Sequence, residues 1–158
     1  MKKYILLIAL AVSFLTAKAQ FNVDRLITSG KVALHYEDYV LSIQYFNQVI
    51  ALKPFLYEPW QYRAVAKFYL DDFVGAETDA SEAIALNPYI DILYDLRAIS
   101  RIRQEKYAGA IADYNKAIAI SPDTRNYWFN RAICMLNSKD YDDALAQTDS
   151  IIRKWQRF

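Results

Sequence analysis

The sequence predicts an all-α solenoid of four stacked helix-turn-helix units, on the strength of three regularities. Pro54, Pro88 and Pro122 stand 34 residues apart. Gly30, Ala64, Ala98 and Ala132 keep the same step as a column of small residues. Two bulky columns keep it too: Tyr39, Phe73, Tyr107 and Tyr141, and Ile50, Ile84, Ile118 and Ile152. A fixed period of this length, with small and apolar residues at set offsets, marks one two-helix unit repeated along the chain.

The first 19 residues stand apart from the repeats. Lys2 and Lys3 give a basic start, Tyr4 to Leu15 is an almost unbroken apolar run, and Ala17-Lys18-Ala19 places small residues two apart before Gln20. That is the pattern of a secretory signal peptide (1–19) cleaved after Ala19. The run is short for a membrane span, which needs roughly 20 residues; a retained anchor and an ordinary helix are the competing readings. Cleavage removes three lysines and no acid, leaving 16 basic against 18 acidic residues and a net charge near −2. The expected location is therefore outside the cytoplasm, periplasmic or secreted.

The remaining 20–158 form one repeat domain, with units at 23–56, 57–90, 91–124 and 125–158. Each reads as a first helix, a short turn, a second helix and a linker. In the third unit Leu93, Tyr94, Ala98, Ile99 and Ile102 recur at helical spacing, followed by Ala110, Ile111, Tyr114, Ala117 and Ile118. Turns are expected near Glu37-Asp38, Asp71-Asp72, Glu105-Lys106 and Lys139-Asp140, each followed by an aromatic residue that can wedge between the two helices. Proline lacks an N–H and bars the residue before it from helical angles, so Pro54, Pro88 and Pro122 should close each second helix. Pro59 falls near a helix start, where a missing N–H costs little. Three glycines and four prolines leave little room for a turn-rich β fold.

These columns resemble the tetratricopeptide repeat family across the whole of 23–158. The second unit reads Trp60-x-x-Arg63-Ala64, then Ala76, Ala83 and Pro88. The third reads Tyr94-x-x-Arg97-Ala98, then Ala110, Tyr114, Ala117 and Pro122. The fourth reads Trp128-x-x-Arg131-Ala132, then Ala144; the first is looser, with Leu26, Ser29, Gly30, Ser42, Phe46 and Pro54. Arg63, Arg97 and Arg131 replace the family's leucine, and its first-helix tyrosine gives way to Ala33, Lys67, Arg101 and Met135. Gln156 stands where the fourth unit should carry proline. The resemblance implies a right-handed superhelix whose first helices line a concave, non-catalytic binding groove for a protein or peptide.

By that register the groove residues are Ile27, Lys31 and His35; Gln61, Val65 and Tyr69; Asp95, Ile99 and Arg103; and Phe129, Ile133 and Asn137. The resemblance also suggests what is missing. Ile27, Gln61 and Asp95 do not supply the lysines and asparagines with which part of the family grips a terminal carboxylate. Binding should rest on apolar pockets with polar contacts to the ligand backbone. The competing reading is that Val65, Ile99 and Ile133 simply pack between neighbouring first helices.

No catalytic or cofactor chemistry is expected. His35 and Cys134 lie three repeat steps apart, roughly 30 Å at ordinary helix spacing, whereas a dyad needs contact near 3 Å. Cys134 is the sole cysteine, so no intrachain disulfide forms, and one histidine with one cysteine makes no common zinc site. Asp71-Asp72 and Asp142-Asp143 fall where acids cap helices. Gly-rich phosphate loops are absent, as is the basic stripe a nucleic-acid partner requires. No small-molecule substrate is indicated.

The last helix carries Ile151, Ile152, Trp155 and Phe158. Arrays usually end in a helix with a polar outer face, so this apolar patch has three accounts: a longer array, docking on another protein or a second copy, or a local cap. Two functions follow. One is a scaffold module of the cell envelope that binds proteins or peptides. The alternative is the recognition segment of a larger envelope enzyme, such as a peptidase or sensor kinase, truncated at Phe158.

Overall fold

The computed structural model describes residues 22–138 and Arg153. Within that span lie α1 (22–35), α2 (Tyr39–Leu52), α3 (Tyr57–Tyr69), α4 (Phe73–Leu86), α5 (Asp91–Ile102), α6 (Tyr107–Ile120) and α7 (Arg125–Asn137), with no strand among the described residues. From α2 to α7 each helix packs on its neighbours in the chain, and α3 also touches α5, bringing successive first helices side by side. That contact order is a solenoid: each unit meets only the next.

Local chemistry repeats as strictly as the helices. Second helices stop at Leu52, Leu86 and Ile120, each two residues before a proline. The bulky residue opening the next first helix then latches onto that proline's carbonyl. The Trp60 indole N–H donates to Pro54 (3.0 Å), the Tyr94 hydroxyl to Pro88 (3.1 Å) and the Trp128 indole N–H to Pro122 (2.9 Å). The proline thus ends one helix and the aromatic sets where the next begins.

The turns inside each unit share one geometry. Glu37, Asp71 and Glu105 take left-handed φ values of 62°, 59° and 60°. The residue after each donates its backbone N–H back across the turn at 2.9 Å, Asp38 to Ala33, Asp72 to Lys67 and Lys106 to Arg101. This is a Schellman closure with a charged residue where glycine is the unstrained choice. Asp38 and Asp72 then cap α2 and α4 by accepting from the N–H groups of Leu41 and Gly75. Lys106, in the same place before α6, makes no side-chain cap. Of the aromatics after the turns, Phe73 meets Phe68 of its own unit's first helix edge-on at 5.4 Å, whereas Tyr39 stacks on Tyr69 of the next unit at 5.0 Å.

The small column sits where backbones approach. Ala64 and Ala98 are fully buried, and a Cβ added at Gly30 would stand 2.8 Å from the Phe46 ring. Beside this column the arginines work as staples. Arg63 pairs with Asp79 of its own unit through two bonds of 2.7 Å and with Asn47 of the preceding unit at 2.7 Å. Arg97 repeats this with Asp113 (2.7 Å) and Ser81 (3.3 Å), and Arg131 donates to Asn115. The positions without the family tyrosine supply second cations, Lys67 to Asp79 (2.9 Å) and Arg101 to Asp113 (2.8 Å). Each of these two carboxylates is buried between two cations, the condition under which a buried charge is tolerated.

The signal segment 1–19, the turn at Lys139-Asp140, Asp142-Asp143 and the patch of Ile151, Ile152, Trp155 and Phe158 lie outside the described residues. Among the described residues no helix is long and apolar enough to cross a membrane.

Candidate functional site: a concavity between the second and third units

The contact of α3 with α5 leaves a concavity of about 200 Å³ on the inner face. Five of the twelve expected groove residues line it: Gln61, Val65 and Tyr69 from α3, and Asp95 and Ile99 from α5. Phe68, Ile92 and Leu96 join them, which the register had left out. The three-column reading was too narrow. A helix presents flanking positions to a groove as well, and Ile92 and Leu96 lie three before and one after Asp95 on the same face.

Val65 and Ile99 do both things asked of them. They pack against the buried trio of Ala64, Ala80 and Leu96, and their other sides wall the concavity. These two side chains thus pack between helices and also wall the concavity. Tyr69 is 60% exposed, held flat by its stack on Tyr39. Ile92 is 49% exposed. These are rigid apolar surfaces with no described protein partner over them.

Arg103 belongs to the rim. Its guanidinium lies 4.3 Å from the centre of the Phe73 ring and reaches Asp71 at 3.4 Å, clamping the α3–α4 turn. The remaining expected residues are not gathered at this concavity. Ile27 is half-buried on α1, Lys31 sits 4.6 Å over the Tyr62 ring, and exposed His35 packs on its neighbour Tyr36. Phe129, Ile133 and Asn137 are exposed along α7.

The electrostatics of the concavity centre on α5. Asp91 is satisfied by the Tyr127 hydroxyl (3.1 Å) and by the N–H of Ile92 (2.9 Å). Asp95 is not. Its Oδ1 is shut off from water without a hydrogen-bond partner, as is the hydroxyl of fully buried Tyr114. The Tyr114 hydroxyl lies beside the Asp95 carboxylate. Burial raises the Asp95 pKa, with Asp91 adding to it against the pull of Tyr114.

Reactive chemistry has little to work with elsewhere. Burial pushes the Cys134 thiol up to about 11, far from the thiolate range. Among the described residues no group of His, Cys, Asp or Glu is placed to hold a metal ion. On the outer side, Glu77 receives Arg101 (2.8 Å), Lys106 (2.8 Å) and Gln104 (3.0 Å). Burial alone would raise the Glu77 pKa; these hydrogen bonds outweigh it and hold it at about 2.

Residues 96–156 match the family model for the tetratricopeptide repeat. The fold is an α-solenoid of the tetratricopeptide type. Solved structures agree on the fold. The MamA protein superposes with a TM-score of 0.82 at 21% identity, covering 89% of this chain and 77% of that one. The first TPR of Spaghetti (RPAP3), bound to the HSP90 peptide SRMEEVD, gives 0.71 at 23% identity, covering 73% and 91%. A Thermobaculum terrenum O-GlcNAc transferase mutant gives 0.67 at 15% identity, covering 73% of this chain and 22% of that one. No curated protein matches the sequence. At these identities the tetratricopeptide likeness speaks to architecture, and function rests on the site itself.

Proposed function

We propose that this chain is a non-catalytic recognition module of the cell envelope, binding a peptide or helix of a partner protein in the concavity between α3 and α5. The single observation that carries this is the open apolar wall formed by Tyr69, Ile92, Val65 and Ile99 on rigid helices. Exposed apolar surface rimmed by polar groups marks an interaction site. The similar RPAP3 domain was solved with a peptide bound, which supports the reading. Export is supported by the basic start, apolar run and Ala17-Lys18-Ala19. No cofactor, nucleic acid or small substrate is needed for this role.

The test is differential capture from envelope extract. Wild type is compared with Tyr69→Ala/Ile92→Ser, two exposed positions whose change leaves the core alone. The variant should melt within a few degrees of wild type and lose the captured protein. Equal capture by both would refute the groove. A second reading, the recognition segment of a larger envelope enzyme, is favoured by one observation: a similar fold covers 22% of a glycosyltransferase. A reading frame that runs on from Phe158 into a catalytic domain would select it.

A further inference from the structure

The concavity is apolar apart from Gln61 and Asp95, and Asp95 is its one charged residue. Asp95 lines it with a carboxylate that has no ion-pair partner among the described residues. Every other acid nearby is neutralised or bonded. Asp79 and Asp113 each hold two cations, and Asp91 is hydrogen-bonded twice. Arg103, the expected cation of the same helix, is turned away onto Phe73 and Asp71. The only group pulling the Asp95 carboxylate the other way is the neutral, fully buried Tyr114 hydroxyl beside it, which brings no positive charge. Buried polar groups in folded proteins find partners, and those left without one are expensive. A partner that brings a cation to the Asp95 carboxylate supplies the counter-charge it lacks; a partner that brings an anion meets repulsion.

We propose that Asp95 sets the specificity of this groove: it selects a peptide segment with one lysine or arginine flanked by apolar residues, the cation meeting Asp95 while the flanks cover Tyr69, Ile92 and Ile99. This rests on the groove being the binding site. The burial-raised pKa of Asp95 accords with a carboxyl that lacks its counter-charge in the free protein. An acidic peptide such as that bound by the RPAP3 domain meets the wrong sign here.

Two fluorescein-labelled peptides with one leucine-rich frame, differing only by lysine or glutamate at the centre, separate the cases. Fluorescence anisotropy should show the lysine peptide binding about tenfold tighter to wild type. The near-isosteric Asp95→Asn should abolish that preference. Equal binding of both peptides to wild type, or a preference surviving in Asp95→Asn, overturns this inference and leaves the groove standing. If neither peptide binds wild type, the inference and the groove reading fall together. Should Asp95→Asn not fold, amide shifts decide on wild type: the lysine peptide must move Asp95 and Tyr114, and shifts confined to other units refute it.

Discussion

Val32, Ala66, Ser100 and Cys134 occupy the same position of α1, α3, α5 and α7, yet Val32 is 50% exposed and the other three are fully buried. The position faces the preceding unit. Cys134 belongs to a buried cluster with Tyr114, Ala117 and Ile118 of the preceding second helix, whereas beside α1 lies a cleft of about 350 Å³ lined by Val32, Tyr36, Leu41 and Tyr45. Chemistry follows burial. Where the inner units carry Arg63, Lys67 and Asp79 or Arg97, Arg101 and Asp113, the first unit carries Ser29, Ala33 and Tyr45. Each charged triad closes within its own unit, and its arginine adds a bond to a polar group of the preceding unit, Asn47 or Ser81. The repeat fixes geometry, and position along the array decides which chemistry the geometry can hold.

The widest contrast should come from one substitution at two places. Ala66→Asp puts a charge into a sealed junction without a counter-ion and should cost about 4 kcal/mol or more, read as collapse of the melting transition. Val32→Asp should stay within about 0.5 kcal/mol. If both unfold the protein, the end face is covered and the contrast fails.

Next in size is the triad itself. Asp113→Ala leaves Arg97 without its anion and Arg101 with Glu77 alone. A loss of roughly 2–4 kcal/mol is expected, below the fully buried case because both arginines keep some solvent. Tyr45→Phe, at the equivalent place in the first unit, should change urea midpoints by less than about 0.5 kcal/mol.

A third contrast is pH. Glu77 ties α4 to α5, and the equivalent residue one unit earlier is the uncharged Ile43. Its folded pKa, about 2, lies below the ordinary 4.5. A depressed carboxyl stabilises the fold above the unfolded value and loses that contribution as pH falls toward the folded one. Wild type should therefore out-melt Glu77→Gln at pH 6, with the gap closing between pH 4.5 and about 2. A gap that does not vary with pH would assign Glu77 no electrostatic role.

The smallest effect should be the same everywhere. Glu37→Gly and Glu105→Gly relieve left-handed strain at equivalent turns, and each should stabilise by about 1 kcal/mol. Unequal gains would show that the end unit's turn differs from the interior one.

Much of this was legible in the residues. The prolines, the small column and the helical apolar spacing specify helix ends, close approach and packing, and α2 to α7 stop and start where they require. The turns at Glu37, Asp71 and Glu105 fell as expected, although the charged residues there gave no sign of positive φ. What stayed hidden depends on contacts between units. Arg63 and Arg97 read as substituted leucines, and nothing local says that an arginine will meet a carboxylate sixteen residues on and a polar group sixteen before. That step does recur in the sequence, as Arg63 with Asp79 and Arg97 with Asp113, and could have flagged the pairing. Of the groove residues, those in the middle units came together, while Phe129 and Ile133 did not, because the concavity forms where α3 and α5 touch. The unmet valence of Asp95 could not be read from a sequence, since it turns on where Tyr114 ends up.

The direct test of the central claim is a peptide array of partner segments probed with wild type and with Tyr69→Ala/Ile92→Ser at matched melting temperature. The groove account expects wild type to mark a subset of spots and the variant to lose them. Identical patterns from both proteins would show that recognition happens on some other face of the solenoid.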